Sequence, residues 1–135
     1  MTFRFDIRVY FEDTDFTGRV YHGAYVRYLE RGRTEWLRVA KIDHAELARR
    51  ETPLFFTIRS LSLTFHAPAV IDDVVTVTAT TAEERRVAFV IDQSIWRGDV
   101  KLVTAQAELC LIDQNGRPQR PPPSVRDALS SRPVR

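Results

Sequence analysis

Residues 3–11, FRFDIRVYF, put Phe3, Phe5, Ile7, Val9 and Phe11 on one parity and Arg4, Asp6, Arg8 and Tyr10 on the other. A period of two belongs to a strand with one face in a core. The period changes in AYVRYLERGRTEWLRVA (24–40), where Tyr25, Tyr28, Leu29, Trp36, Leu37 and Ala40 keep to one side of a helix. That spacing predicts a helix of about 16 residues. Its other side is charged, and Arg27 with Glu30 and Arg31 with Glu35 are spaced for surface ion pairs worth ~0.3 kcal/mol each. Gly32 inside the helix costs about 1 kcal/mol relative to Ala, and close packing of backbone against a sheet would account for it.

From residue 57 the strand pattern returns in TIRSLSLTFHA (57–67), DVVTVTATTA (73–82), RVAFVIDQSIW (86–96) and VKLVTAQAELCLID (100–113). Pro68 and Asp72-Asp73 break the first gap, Glu83 to Arg86 the second, and Arg97-Gly98-Asp99 the third, all short enough for antiparallel neighbours. Asn115-Gly116 closes the last strand. The remaining residues, about 118–135 and rich in Pro and Arg, read as an extended arm with at most a short helix near its end. The expected fold is α+β: a single domain spanning 1–135, with a five-stranded antiparallel sheet wrapped around one long helix. The outer face of such a sheet is expected not to be uniformly charged, because Val74 stands beside Thr76 and Thr78, and Val103, Ala105, Ala107, Leu109 and Leu111 share one parity.

The chain has 135 residues, 44% of them hydrophobic, enough for one core and too few for two. With 20 Lys+Arg against 18 Asp+Glu it lacks the basic excess of a nucleic-acid binder. A single cysteine, Cys110, excludes an internal disulfide, and its apolar surroundings AELCLI suit an inert buried thiol. No apolar run is long enough to span a bilayer, and the N-terminal alternation is unlike a signal peptide, so a cytoplasmic location is expected.

The candidate chemistry lies in DTDFTGRVYHGAY (13–25), between the first strand and the helix. It begins like a calcium loop, but the twelfth place, which needs a bidentate Glu, is Ala24, and no helix precedes it. Asp13 and Asp15 are residues that turns use routinely, and a lone histidine such as His22 is usually structural. Grouped at a helix N-terminus they suggest more, because the unpaired N–H groups from His22 to Ala24 present positive potential to an oxygen. A metal held by the two carboxylates and the imidazole lacks an obvious further ligand nearby. The chain has no nucleophile elbow, P-loop or dinucleotide fingerprint.

The run VYFEDTDFTGRVYHGAYVRYLERGRTEWLR (9–38) strongly resembles the signature of the 4-hydroxybenzoyl-CoA thioesterase-like hotdog family. It is most similar to the acyl-CoA thioesterase branch associated with the Tol-Pal genes. The similarity continues through RSLSLTFHAPAVIDDVVTV (59–77) and NGRPQRPP (115–122). The resemblance implies a hotdog fold, protomers joined edge to edge as dimers that often pair into tetramers, and hydrolysis of a coenzyme A thioester without cofactor or metal. By position, Asp15 matches the family's catalytic carboxylate, nucleophile or general base, and His22 its active-site histidine. Backbone N–H groups near His22 and Gly23 would polarise the carbonyl. Tyr25, next along, is a candidate substrate contact whose other reading is helix packing. Arg85-Arg86 matches a basic pair that binds nucleotide phosphate, and without the resemblance it reads as a solvated hairpin tip. Phe11 departs from the branch, which carries a tyrosine there. The alternatives are a hotdog module that binds an acyl thioester or a protein without hydrolysis, and a hotdog dehydratase, whose branch the DTD turn does not resemble. His44 and His66 receive no role.

Overall fold

The computed structural model describes residues 3–130. Its main strands are β1 (Phe3–Arg8), β2 (Phe55–Phe65), β3 (Val74–Glu84), β4 (Ala88–Arg97) and β5 (Val100–Ile112), with a two-residue β6 (Pro118–Gln119). The helices are α1 (His22–Val39), α2 (His44–Ala48) and α3 (Pro123–Ala128). All pairings are antiparallel in the order β1-β3-β4-β5-β2, with β6 added to the end of β5. The sheet curves round α1, the hotdog arrangement expected, with β1 and β2 as its two open edges.

The helix buries Ala24, Tyr25, Tyr28, Leu29, Gly32 and Leu37 against the sheet. Near its start, Tyr25, Tyr28 and Leu29 pack with Val75, Val77, Ile95 and Val103; near its end, Leu37 packs with Phe89, Ile91, Leu109 and Leu111. The helix stops because Lys41 turns to φ 67. Ile42 N then donates to Leu37 O at 2.9 Å and Lys41 N to Arg38 O at 3.0 Å, a Schellman closure whose apolar contact joins Leu37 and Ile42 in one cluster.

Gly32 is where backbone meets sheet. A Cβ there would overlap Val77 Cγ1 and stand 3.1 Å from Val77 Cβ. Val77 is fully buried and stiff at χ1, so it cannot swing aside. Gly32→Ala should therefore destabilise by about 1 kcal/mol or more despite its better helix propensity. Thermal melting checks this, and adding Val77→Ala should cost less than the sum of the single changes.

Several sequence expectations change. Phe11 continues the parity of β1 but is 81% exposed, because the strand ends at Arg8 and a 3-10 turn, Phe11–Asp13, takes over. Val103, Ala105, Ala107, Leu109 and Leu111 lie on the inner face and are buried, whereas Val74 is exposed on the outer one. The helix ion pairs differ too: Glu35 pairs with Arg38 at 3.5 Å and Arg27 with Asp13 at 3.7 Å. The tail is not simply an extended arm, since α3 docks Val125 and Leu129 on the second cluster, each burial stabilising by roughly 1.5 to 3 kcal/mol. Residues 131–135 of that arm lie outside the described residues. Cys110 is buried, which pushes its thiol pKa up. No helix among the described residues is long and apolar enough to cross a membrane.

Candidate active site

The stretch from Tyr10 to Tyr21 folds into a 3-10 turn followed by a small hairpin, and this separates the two aspartates. Asp13 turns inward and is 4% exposed. Its Oδ2 accepts from Tyr10 N at 2.9 Å, its Oδ1 faces Arg27, and its carbonyl accepts from Tyr21 N at 2.8 Å. The buried Tyr28 hydroxyl lies beside it, and burial together with the Asp13 carboxylate raises the Tyr28 pKa. Asp13 thus ties the strand end to the start of α1.

Asp15 points outward. The bridge between Thr14 and Val20 closes the hairpin, and Gly18, at φ 80, makes the reversal that lets its N–H donate to Asp15 O at 2.9 Å. Thr17 donates to Asp15 Oδ1 twice, from Oγ1 at 2.6 Å and from the backbone at 2.8 Å. These bonds, with smaller contributions from His22 and Arg19, hold the Asp15 pKa below its ordinary value. Among the described residues nothing bonds Oδ2 of Asp15. The hairpin is anchored in turn to the loop after β2, where Val20 N donates to Ala69 O at 2.9 Å and Arg19 bridges Val70.

Asp15, Arg19, His22, Tyr25, Phe65 and His66 line one cleft of about 360 Å³. His22 opens α1, and Tyr21, its N-cap, provides no side-chain cap, so the first-turn N–H groups at His22 and Gly23 are left for another acceptor. The His22 ring lies edge-on to Phe65 with centroids 6.5 Å apart. Tyr25 is buried, and its hydroxyl accepts from Ala69 N at 3.1 Å, fixing the cleft wall. Arg97 steadies that loop by donating to Pro68 O at 2.8 Å and reaching Asp73 at 3.3 Å.

The structure brings Asp15, His22, Gly23 and Tyr25 together and leaves Arg85 and Arg86 elsewhere. The arginines sit beyond the far end of β3, about 35 Å along the strand from the loop that borders the cleft. Arg85 is occupied by Glu83 at 3.1 Å and Glu108 at 3.5 Å, and these carboxylates raise its pKa. Among the described residues no carboxylate pairs with Arg86. Thr17 and His66 also line the cleft, though neither is singled out by the sequence. Asp15-Phe16-Thr17 does carry a turn signal, in which Thr17 bonds the aspartate two residues back. His66, whose Nε2 lies 2.9 Å from Thr104 Oγ1, carries none.

Comparison with known proteins decides the family. Residues 17–104 match the family model described as the thioesterase superfamily. The chain belongs to the thioesterase superfamily. An Escherichia coli protein named acyl-CoA thioester hydrolase YbgC is 34% identical over 110 residues, covering 82% of this chain and 80% of that protein. The crystal structure of a probable thioesterase from Bartonella henselae superposes with a TM-score of 0.87 at 38% identity, covering 90% of this chain and 100% of that one. A variant of 4-hydroxybenzoyl CoA thioesterase complexed with 4-hydroxybenzoyl CoA shares the fold with a TM-score of 0.86 at 23% identity, over 96% of this chain and 99% of that one. The family expected from residues 9–38 is therefore the one found.

Proposed function

We propose that the protein is an acyl-CoA thioesterase in which Asp15 carries the reaction. The observation that supports this most is the unbonded Oδ2 of an ionised, exposed carboxylate facing a cleft beside the uncapped start of α1. The thioester carbonyl oxygen is received by the N–H groups at His22 and Gly23, which stabilise the negative charge that develops on it. Asp15 either attacks the carbonyl carbon or takes a proton from the water that does. In the water route the O–H proton passes to Oδ2, the tetrahedral intermediate collapses with loss of the C–S bond, and the departing thiolate takes up the proton. In the nucleophilic route Oδ2 attacks the carbonyl carbon and the C–S bond breaks, leaving an anhydride on Oδ2 and a free thiolate. Water then cleaves the anhydride to the acid and the Asp15 carboxylate, and the proton released passes to the thiolate. Label found in Asp15 after a single turnover in heavy-oxygen water identifies the anhydride route with water attacking the aspartyl carbon, which the water route cannot produce. Steady release of free thiol from a panel of acyl-CoAs tests hydrolysis itself, and binding without release would defeat the reading.

His22 assists at the same cleft and Tyr25 shapes its wall. Arg86 is the basic residue we assign to the nucleotide phosphates, since Arg85 already serves Glu83 and Glu108. Arg86→Ala should raise KM about fivefold to tenfold with kcat unchanged, the effect of one screened cation on a phosphate. A short thioester without the nucleotide should show no change, and an equal loss with both substrates would place Arg86 in the fold instead. Because Arg86 lies far from the cleft of its own protomer, the reading includes an oligomer joined through the β2 edge.

A further inference from the structure

Among the described residues, the fold buries a cation without giving it an anion. Arg33, on the inner side of α1, is 6% exposed, and its Nη1 donates to Gln93 Oε1 at 2.9 Å. Gln93 is buried as well and is held by donating from Nε2 to Leu29 O at 3.1 Å, so the partners of Arg33 are neutral. Among the described residues no carboxylate lies within ion-pair distance of Arg33. Burial lowers its pKa and the exposed Glu30, one turn away, partly opposes this, yet an arginine stays charged in a protein. A buried charge left in this condition is costly unless an anion reaches it.

An anion has room to do so. Arg33 lines a cavity of about 280 Å³ between α1 and β2, whose walls include Leu37, Phe56, Ile58 and Leu109. Thr34 and Thr57 add hydroxyls, and Glu30 and the exposed His44 stand at the rim. This cavity shares no lining residue with the Asp15 cleft, and Arg33 is about 16 Å along α1 from His22.

We propose that this cavity binds a small monocarboxylate with an apolar body, its carboxylate received by Arg33. A guanidinium fork matches the two oxygens of a carboxylate. One uncompensated positive charge balances one negative charge, while Glu30 at the rim disfavours a dianion. The apolar walls take the rest of the molecule, which must be small to fit. The carboxylate is either a free acid or the far end of a carboxyl-bearing acyl group. Only the second source rests on the thioesterase reading.

Calorimetry with the full chain tests the site without turnover. Benzoate should bind with Kd below ~1 mM, while benzamide and phenyl phosphate should bind at least tenfold more weakly. Arg33→Met should abolish benzoate binding, and so should Ile58→Trp, which fills the cavity from the strand side and keeps the test open if the arginine variant fails to fold. Asp15→Asn should bind benzoate as the wild type does. No benzoate binding, equal binding of benzamide, or unaltered binding in Ile58→Trp would each overturn the proposal. Thiol release from matched acyl-CoAs with and without a terminal carboxylate, with acyl chains long enough to span the ~16 Å from His22 to Arg33, identifies the source. A preference for the carboxylated substrate that falls at least tenfold in the two cavity variants places the acyl tail at Arg33. Equal rates for the pair, with benzoate binding intact, assign the site to free acids.

Discussion

Asp15→Asn is expected to lower thiol release at least ~100-fold with circular dichroism and melting temperature unchanged, the cost of losing a positioned base or nucleophile. Asparagine keeps an oxygen to accept both Thr17 bonds, so the hairpin survives, but it neither holds a proton from water nor attacks a carbonyl. The side chain is exposed, so no packing is lost. The pH dependence carries a second signature. The Thr17 hydroxyl bond, then its backbone bond, with His22 and Arg19 adding, holds the Asp15 pKa below 3.8. A depressed pKa keeps the working carboxylate present down to lower pH, and the activity it supports is lost only as pH falls through that lowered value. Thr17→Val removes the largest of these contributions and should move this acid limb upward. An Asn variant that retains most of its rate would remove Asp15 from the chemistry.

Which parts of this site are legible in the sequence depends on what alternation and spacing can encode. The strand pattern marks where β1 to β5 lie, and the helical stripe from Tyr25 to Leu37 marks the face that meets the sheet. Gly32, costly within a helix, announces the close approach to Val77. Alternation gives two faces, however, and does not say which is inside. In β5 the parity of Val103 to Leu111 is buried, but so are Leu102 and Cys110 on the other, so composition alone assigns neither. Arg33 sits among charges that read as a solvated face, and only Gln93, sixty residues later, makes room for it inside. Likewise the division of labour between Asp13 and Asp15 depends on a 3-10 turn directing one inward and a Gly18 reversal directing the other outward, and residue type is the same for both. The docking of Val125 and Leu129 was hidden by the proline-rich composition around them.

Separation of the protomers is expected to abolish activity, and the reason lies in the edge strand. Among the described residues β2 runs for 11 residues with only β5 beside it, leaving a row of backbone donors and acceptors open along its other side. Such an edge is a template for pairing. At its end Phe65, exposed to 51%, and then His66 line the Asp15 cleft, so a second copy laid along β2 would border that cleft. Arg86, about 35 Å along β3 from the cleft loop, can meet the nucleotide of a substrate held there only from another copy. On the proposed reading, both arguments put part of the working site on a neighbour. On dilution, thiol release per protomer should fall in step with the mass read by light scattering, and concentrating the protein should restore both. A stable monomer with full activity would break this link, and acyl group and nucleotide would then have to be held within one protomer, with Arg86 taking no part.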